Sequence, residues 1–182
     1  MTMKKKFTFF IATLLFVQVA FAQQKGTLNS KIKIYFNHPV KTSVSTGTDA
    51  IYLNDKFDDT LIAYINRAKY TLDIAVYNTT VSSVFTAVKN AKARGVTVRW
   101  IYEGTYGNDN LESSLNGSIP TLKRTDNNGI MHNKFMIIDA NSSNESDPIV
   151  WTGSTNWTNY SINGTGTNSG SDYNNVIIIQ DK

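Results

Sequence analysis

The sequence has 182 residues, 41% of them hydrophobic, 12% aromatic and 18% charged, which suits one folded domain and excludes a disordered acidic tail or a collagen-like repeat. It contains no cysteine, so disulfide frameworks, thiolate nucleophiles and cysteine-ligated zinc or iron–sulfur sites are ruled out. The formal charge of +4 includes Lys4, Lys5 and Lys6; without them lysine and arginine fall from 18 to 15 against 14 acids, leaving +1, so global charge does not point to nucleic acid.

Those three lysines open a segment that runs through the apolar stretch Phe7 to Val19 into Ala20-Phe21-Ala22 and Gln23. A charged start, an apolar middle and a small-x-small end describe a secretory signal peptide over residues 1–22, and the apolar run is short for a spanning helix. The expected location of the mature protein is therefore secreted or periplasmic. Residues 23–32 read as an N-terminal extension, and the folded domain is expected over 33–182.

Lys31 to Phe36 alternates apolar and other residues and meets Pro39, as a strand ending in a turn does. Asp58 or Asp59 can cap a helix in which Leu61, Ile62, Ile65 and Ala68 recur at helical spacing, and Tyr70 to Tyr77 reads as a strand. A second helix begins near Thr80 with Val81, Val84, Phe85 and Val88 on one side. Gly95 sits where a left-handed cap belongs, and Val96 to Tyr102 is the next strand. The pattern then weakens, with a short helix near Leu111 and an extended piece around Leu122. Ile130 to Ile138, Ile149 to Thr152 and Val176 to Ile179 are apolar runs of strand length; Asn141 to Asp147 is a polar loop, and Asn159 to Asp172 a long one. Strands alternating with helices early and following one another late predict an α/β layered sandwich, with a mixed, largely parallel sheet flanked by helices.

Of the two histidines, His38 precedes Pro39 and reads as a turn residue. His132 stands in Met-His-Asn-Lys-Phe-Met-Ile-Ile-Asp, residues 131–139. Apolar residues at both parities describe a strand buried on both faces, in which His132 and Lys134 share a side, roughly 7 Å apart. A lysine rarely enters such a place without an anion, so the pair predicts a pocket for phosphate beside a side chain that exchanges protons near neutrality. Downstream, Gly153 permits close backbone approach, while Ser154 and Asn156 offer hydrogen-bonding groups two residues apart.

The arrangement His132-x-Lys134-(x)4-Asp139, followed by Gly153-Ser154-x-Asn156, resembles the HKD signature of the phospholipase D superfamily, and the order of elements is similar to that of its single-motif secreted nucleases. The resemblance implies a phospholipase D-like fold over 33–182 and cleavage of phosphodiesters through a phosphohistidine. His132 is the implied nucleophile; Lys134, Asn156 and Ser154 are implied to hold the phosphate oxygens, with no metal or other cofactor. Asp139 is implied to orient a histidine, although a flat strand puts it on the opposite parity from His132. The reaction needs two histidines, and Val40 at the second position after His38 shows that no second copy of the motif begins there. A homodimer pairing two His132 side chains is the expected solution.

Three departures from the family pattern are visible. The connection between Asp139 and Gly153 is long, Asn174 stands where relatives carry a glutamate, and the sequence stops at Lys182 without the terminal helix that covers the sheet in single-motif nucleases. The expected activity is a secreted non-specific endonuclease, with Trp151 and Trp157 as candidates to stack on bases. The alternatives are a phospholipase D acting on phosphatidyl lipids and an inactive anion-binding module.

Overall fold

A computed structural model describes residues 31–181 apart from 48, 106–107, 109, 127 and 164–171, so the expected signal peptide lies outside the described residues. Eight strands form one sheet: β1 (Ile32–Phe36), β2 (Ile51–Tyr52), β3 (Thr71–Val76), β4 (Thr97–Glu103), β5 (Thr121–Arg124), β6 (Lys134–Ile138), β7 (Ile149–Gly153) and β8 (Asn175–Ile179). Their order across the sheet is β2-β1-β8-β7-β6-β3-β4-β5. Four helices accompany them: α1 (Phe57–Ile65), α2 (Ser82–Ala93), α3 (Leu111–Leu115) and α4 (Asn159–Asn163). A 3-10 turn at Thr42–Val44 precedes β2; neither of these had a sequence signal.

The sheet is mixed, as expected, and the parallel pairs are β1–β2, β3–β4 and β4–β5. The other four pairings are antiparallel, because β6, β7 and β8 follow one another with no helix inserted between β6 and β7 to carry the chain back to its starting edge. Asp58 and Asp59 lie inside the first turn of α1 rather than capping it, where their charges still favour the helix N-terminus. Gly95 follows α2 at φ +95, the left-handed conformation expected of it. The long loop predicted over Asn159 to Asp172 starts instead with α4, whose Ile162 joins the core.

One parity of the strands, including Leu72, Val98, Trp100, Met136, Trp151 and Ile178, packs with Phe57, Leu61, Val84 and Phe85 of α1 and α2 into a single core. The opposite face carries no helix among the described residues. There Arg99 pairs with Asp73 through two bonds of 2.6 and 2.8 Å, and Ile101 and Leu122 are exposed. Burial along β6 accordingly alternates, which corrects the expectation of a strand buried on both faces.

Asp139 closes β6 at φ 50 and is buried. Its carboxylate accepts the backbone N–H groups of Lys69, Tyr70 and Thr71 at 3.0, 2.7 and 2.9 Å, fixing the corner between α1 and β3. The Asn141–Asp147 loop docks on the same corner: Ser142 donates to Asp147, and Lys69 pairs with Asp147 at 2.6 Å. Removing the carboxylate in Asp139→Ala takes the acceptor from three part-buried backbone donors and leaves alanine at a positive φ, so it is expected to cost about 3 kcal/mol in urea unfolding.

Candidate active site

The N-terminal end of β6 and the C-terminal ends of β3, β4 and β7 lie at one edge of the sheet, as the pairings Val76↔Lys134 and Thr152↔Phe135 require. β6 begins at Lys134, so His132 stands just before it, exposed, and not inside a buried strand as its flanking residues suggested. Lys134 remains only 7% exposed. Its ammonium donates to the backbone oxygen of His132 at 3.0 Å and lies 5.3 Å from the centre of the Tyr77 ring. The same ring meets the His132 imidazole edge-on at 4.8 Å, so Tyr77 touches both side chains of the pair.

No carboxylate pairs with Lys134 among the described residues. Burial pushes its pKa below the ordinary lysine value. A carbonyl oxygen and an aromatic face are weak compensation for a buried ammonium, and an anion is the missing group. The His132 imidazole is also held below its ordinary pKa, first by desolvation and second by the positive charge of Lys134. Both effects favour the neutral imidazole, the form with a nitrogen lone pair available for attack.

The segment after β7 crosses the start of β6. Ser154, on the β7 side, bonds to the neighbouring strand: its amide donates to the Asn175 oxygen at 3.1 Å and its hydroxyl to Asn174 at 2.8 Å. Three residues later the Trp157 amide donates to the Asn78 oxygen at 3.1 Å, beyond the end of β3. Residues 154–157 thus span from one neighbour of β6 to the other, carrying Asn156 between them. The Asn156 side-chain oxygen is buried without a partner among the described residues. Gly153 is required here, because a Cβ would fall 2.1 Å from the Asn175 oxygen.

The structure thus brings His132, Lys134, Ser154 and Asn156 to one edge. It does not bring Asp139, which lies five residues along β6 from Lys134, about 17 Å away, and spends its carboxylate on backbone amides. Asp139 does not orient His132 within this chain. Trp151 and Trp157 are also misplaced by the sequence reading: both are 0% exposed and stack edge to face at 5.6 Å inside the core, so neither meets a base. Asn174 fills the glutamate position as the acceptor of the Ser154 hydroxyl.

Sequence reasoning missed three further residues besides Tyr77's contacts. Glu103, at the end of β4, is 0% exposed, and its carboxylate accepts the Met131 amide, the Thr105 amide and hydroxyl, and Arg124 at 3.2 Å. Arg124 in turn donates to the backbone oxygens of Asn128 and Gly129. The pair therefore grips residues 128–131, directly before His132. Asn108 joins the exits of β3 and β4 by donating to the Tyr77 and Glu103 oxygens, both at 2.7 Å. An acid closing an apolar strand was the available signal for Glu103.

Burial alone would raise the Glu103 pKa, but its hydrogen bonds outweigh that and hold it at about 2, against an ordinary 4.5. A depressed folded-state pKa means the carboxylate stabilises the fold above pH 4.5, with the contribution lost as pH falls towards 2. Urea unfolding of wild type and Glu103→Gln should therefore differ most at neutral pH and converge through that window.

Residues 61–182 match the family described as "Cardiolipin synthase, PLD-like domain". Mitochondrial cardiolipin hydrolase of Drosophila melanogaster is 30% identical over 119 residues, covering 57% of this chain and 47% of that protein. The protein of the same name from Xenopus tropicalis is 28% identical over 124 residues, covering 67% and 52%. The chain thus spans about half the length of these curated relatives. Among solved structures, the fold is similar to Nuc of Salmonella typhimurium, a phospholipase D family member (TM-score 0.53, 22% identity, 82% of each chain). It is also similar to NucT of Helicobacter pylori (TM-score 0.56, 21% identity, 83% of this chain and 86% of that one). With His132, Lys134, Ser154 and Asn156 gathered at one sheet edge and most of the folded domain inside the match, the chain belongs to the PLD-like domain family of the phospholipase D superfamily.

Proposed function

We propose that the protein is a metal-independent phosphodiesterase acting on nucleic acid after export, working as a homodimer through a phosphohistidine. The observation that carries the reading is Lys134, a nearly buried ammonium with no carboxylate partner among the described residues, beside an exposed imidazole whose pKa is held down. His132 attacks phosphorus, the bond to the leaving oxygen breaks, and the His132 of a second copy, protonated once the negative charge of the bound phosphodiester offsets Lys134, donates the proton that oxygen needs. Water then attacks phosphorus, gives its proton to that second imidazole, and the phosphorus–nitrogen bond breaks, which restores both histidines. Lys134, with Asn156 and Ser154, balances the charge that builds on the non-bridging oxygens.

The second histidine must come from another copy because His38 lies at the end of β1, three strands from β6. Dimerisation is accordingly a condition of turnover, and light scattering across a dilution series should show activity per chain falling as the monomer appears. A strict monomer with full activity overturns the shared site.

A second reading, hydrolysis of phosphatidyl lipids, is supported by the names of the two curated relatives. Plasmid degradation in the presence of a chelator, run beside hydrolysis of phosphatidylcholine and cardiolipin vesicles, separates the two substrates. His132→Ala is expected to abolish turnover, and Lys134→Ala to lower kcat more than about 100-fold. Persistent cleavage by the folded His132 variant ends the proposed chemistry for either substrate.

A further inference from the structure

His38 and Tyr173 extend the site edge on the far side of β7. Phe36 pairs with Asn175, and Val176 with Gly153, so the residues just beyond β1 and just before β8 lie at the same edge as Ser154. There the two rings stack, 3.7 Å between centres and 19° from parallel. Tyr173 is nevertheless 85% exposed, the most open large apolar side chain among the described residues. One face rests on His38, so the exposure belongs to the other face and the edges.

The backbone beneath the stack is fixed. Asn37 donates to the Asp172 oxygen at 2.6 Å and accepts the Asn174 amide at 2.8 Å, and Asn174 bonds to Ser154. These bonds tie residues 172–174 to both β1 and the segment that carries Asn156. From β8 to β6 is two strand spacings, about 10 Å, a distance a few nucleotides of single strand cover.

We propose that the outward face of Tyr173, backed by His38, is a stacking platform for a base of single-stranded nucleic acid whose backbone reaches Lys134; the proposal rests on the nucleic-acid reading above. A base fits better than an acyl chain. The chain neighbours of Tyr173 are Asp172 and Asn174, and Asn37 bonds to both, so the ring is flanked by hydrogen-bonded polar groups. A lipid surface needs contiguous apolar area, whereas a nucleobase offers a π-face with polar edges. Stacking is also indifferent to sequence, as a non-specific enzyme requires.

Fluorescence anisotropy with labelled decathymidine tests this on full-chain protein carrying His132→Asn to block cleavage. Adding Tyr173→Ala should weaken binding about 5- to 150-fold, and Tyr173→Phe should retain it, since the ring is the active element. A decamer of abasic sites with the same phosphates should bind the Tyr173 protein as weakly as decathymidine binds the alanine variant. Unchanged binding by Tyr173→Ala, or equal binding of the abasic decamer, overturns the platform while leaving the nucleic-acid reading in place. Loss of cardiolipin-vesicle binding by Tyr173→Ala without loss of decathymidine binding overturns it too, in favour of a lipid contact. No decathymidine binding by the Tyr173 protein overturns both.

Discussion

A single buried ammonium sets the terms for the catalytic edge of this protein. Lys134 begins β6 between β3 and β7, where the helix-side core reaches the rim, and it is covered by protein with no carboxylate among the described residues to neutralise it. Such a group is tolerable only if its charge is offset part of the time by something that comes and goes, or if its surroundings are held rigid. The structure supplies the second condition through the His132 carbonyl and the Tyr77 ring. The proposed substrate supplies the first. The cost of keeping the lysine charged while the site is empty becomes attraction for a phosphate that arrives.

The two ends of β6 divide the labour. At its start are the imidazole, the ammonium and the crossing segment 154–157; at its close, Asp139 binds three amides and the 141–147 loop packs with Lys69. One eight-residue motif, His132 to Asp139, therefore contributes to both ends, the candidate site at the first and anchorage at the last. That explains how an aspartate can keep fixed spacing from His132 without touching it. Its spacing counts the length of the strand.

This division also shows what was legible in the sequence. His132 and Lys134 were readable because a polar His-Asn-Lys triplet interrupts an apolar run, and such an interruption is a local property. The parallel β3–β4–β5 unit was readable because helix and strand periods alternate there. The burial of Trp151 and Trp157 was not: aromatic residues beside a motif have the same local signature whether they point at solvent or at Trp100, which lies 6.0 Å from Trp157. The grip of Glu103 on Met131, and its pairing with Arg124, depend on chain segments meeting across the sheet edge. No window of sequence contains both partners of the Glu103–Met131 bond. The polar tract 141–147 was assigned to a loop correctly, yet its docking partner, Lys69, lies far upstream.

The proximity of Lys134 to His132 further links binding to proton balance. In the empty site the ammonium helps keep the imidazole neutral, which is the form a nucleophile needs. A bound phosphate diester brings a negative charge that offsets the ammonium, and the electrostatic pressure against protonating a nearby imidazole falls. In the proposed dimer that change reaches both histidines at once: the attacking one has by then committed its lone pair, and the second becomes a better holder of the proton it must deliver to the leaving oxygen. In the proposed mechanism a lysine placed to bind phosphate thus also bears on proton balance, as a compact point charge beside the imidazole, which a guanidinium that spreads its charge would not reproduce.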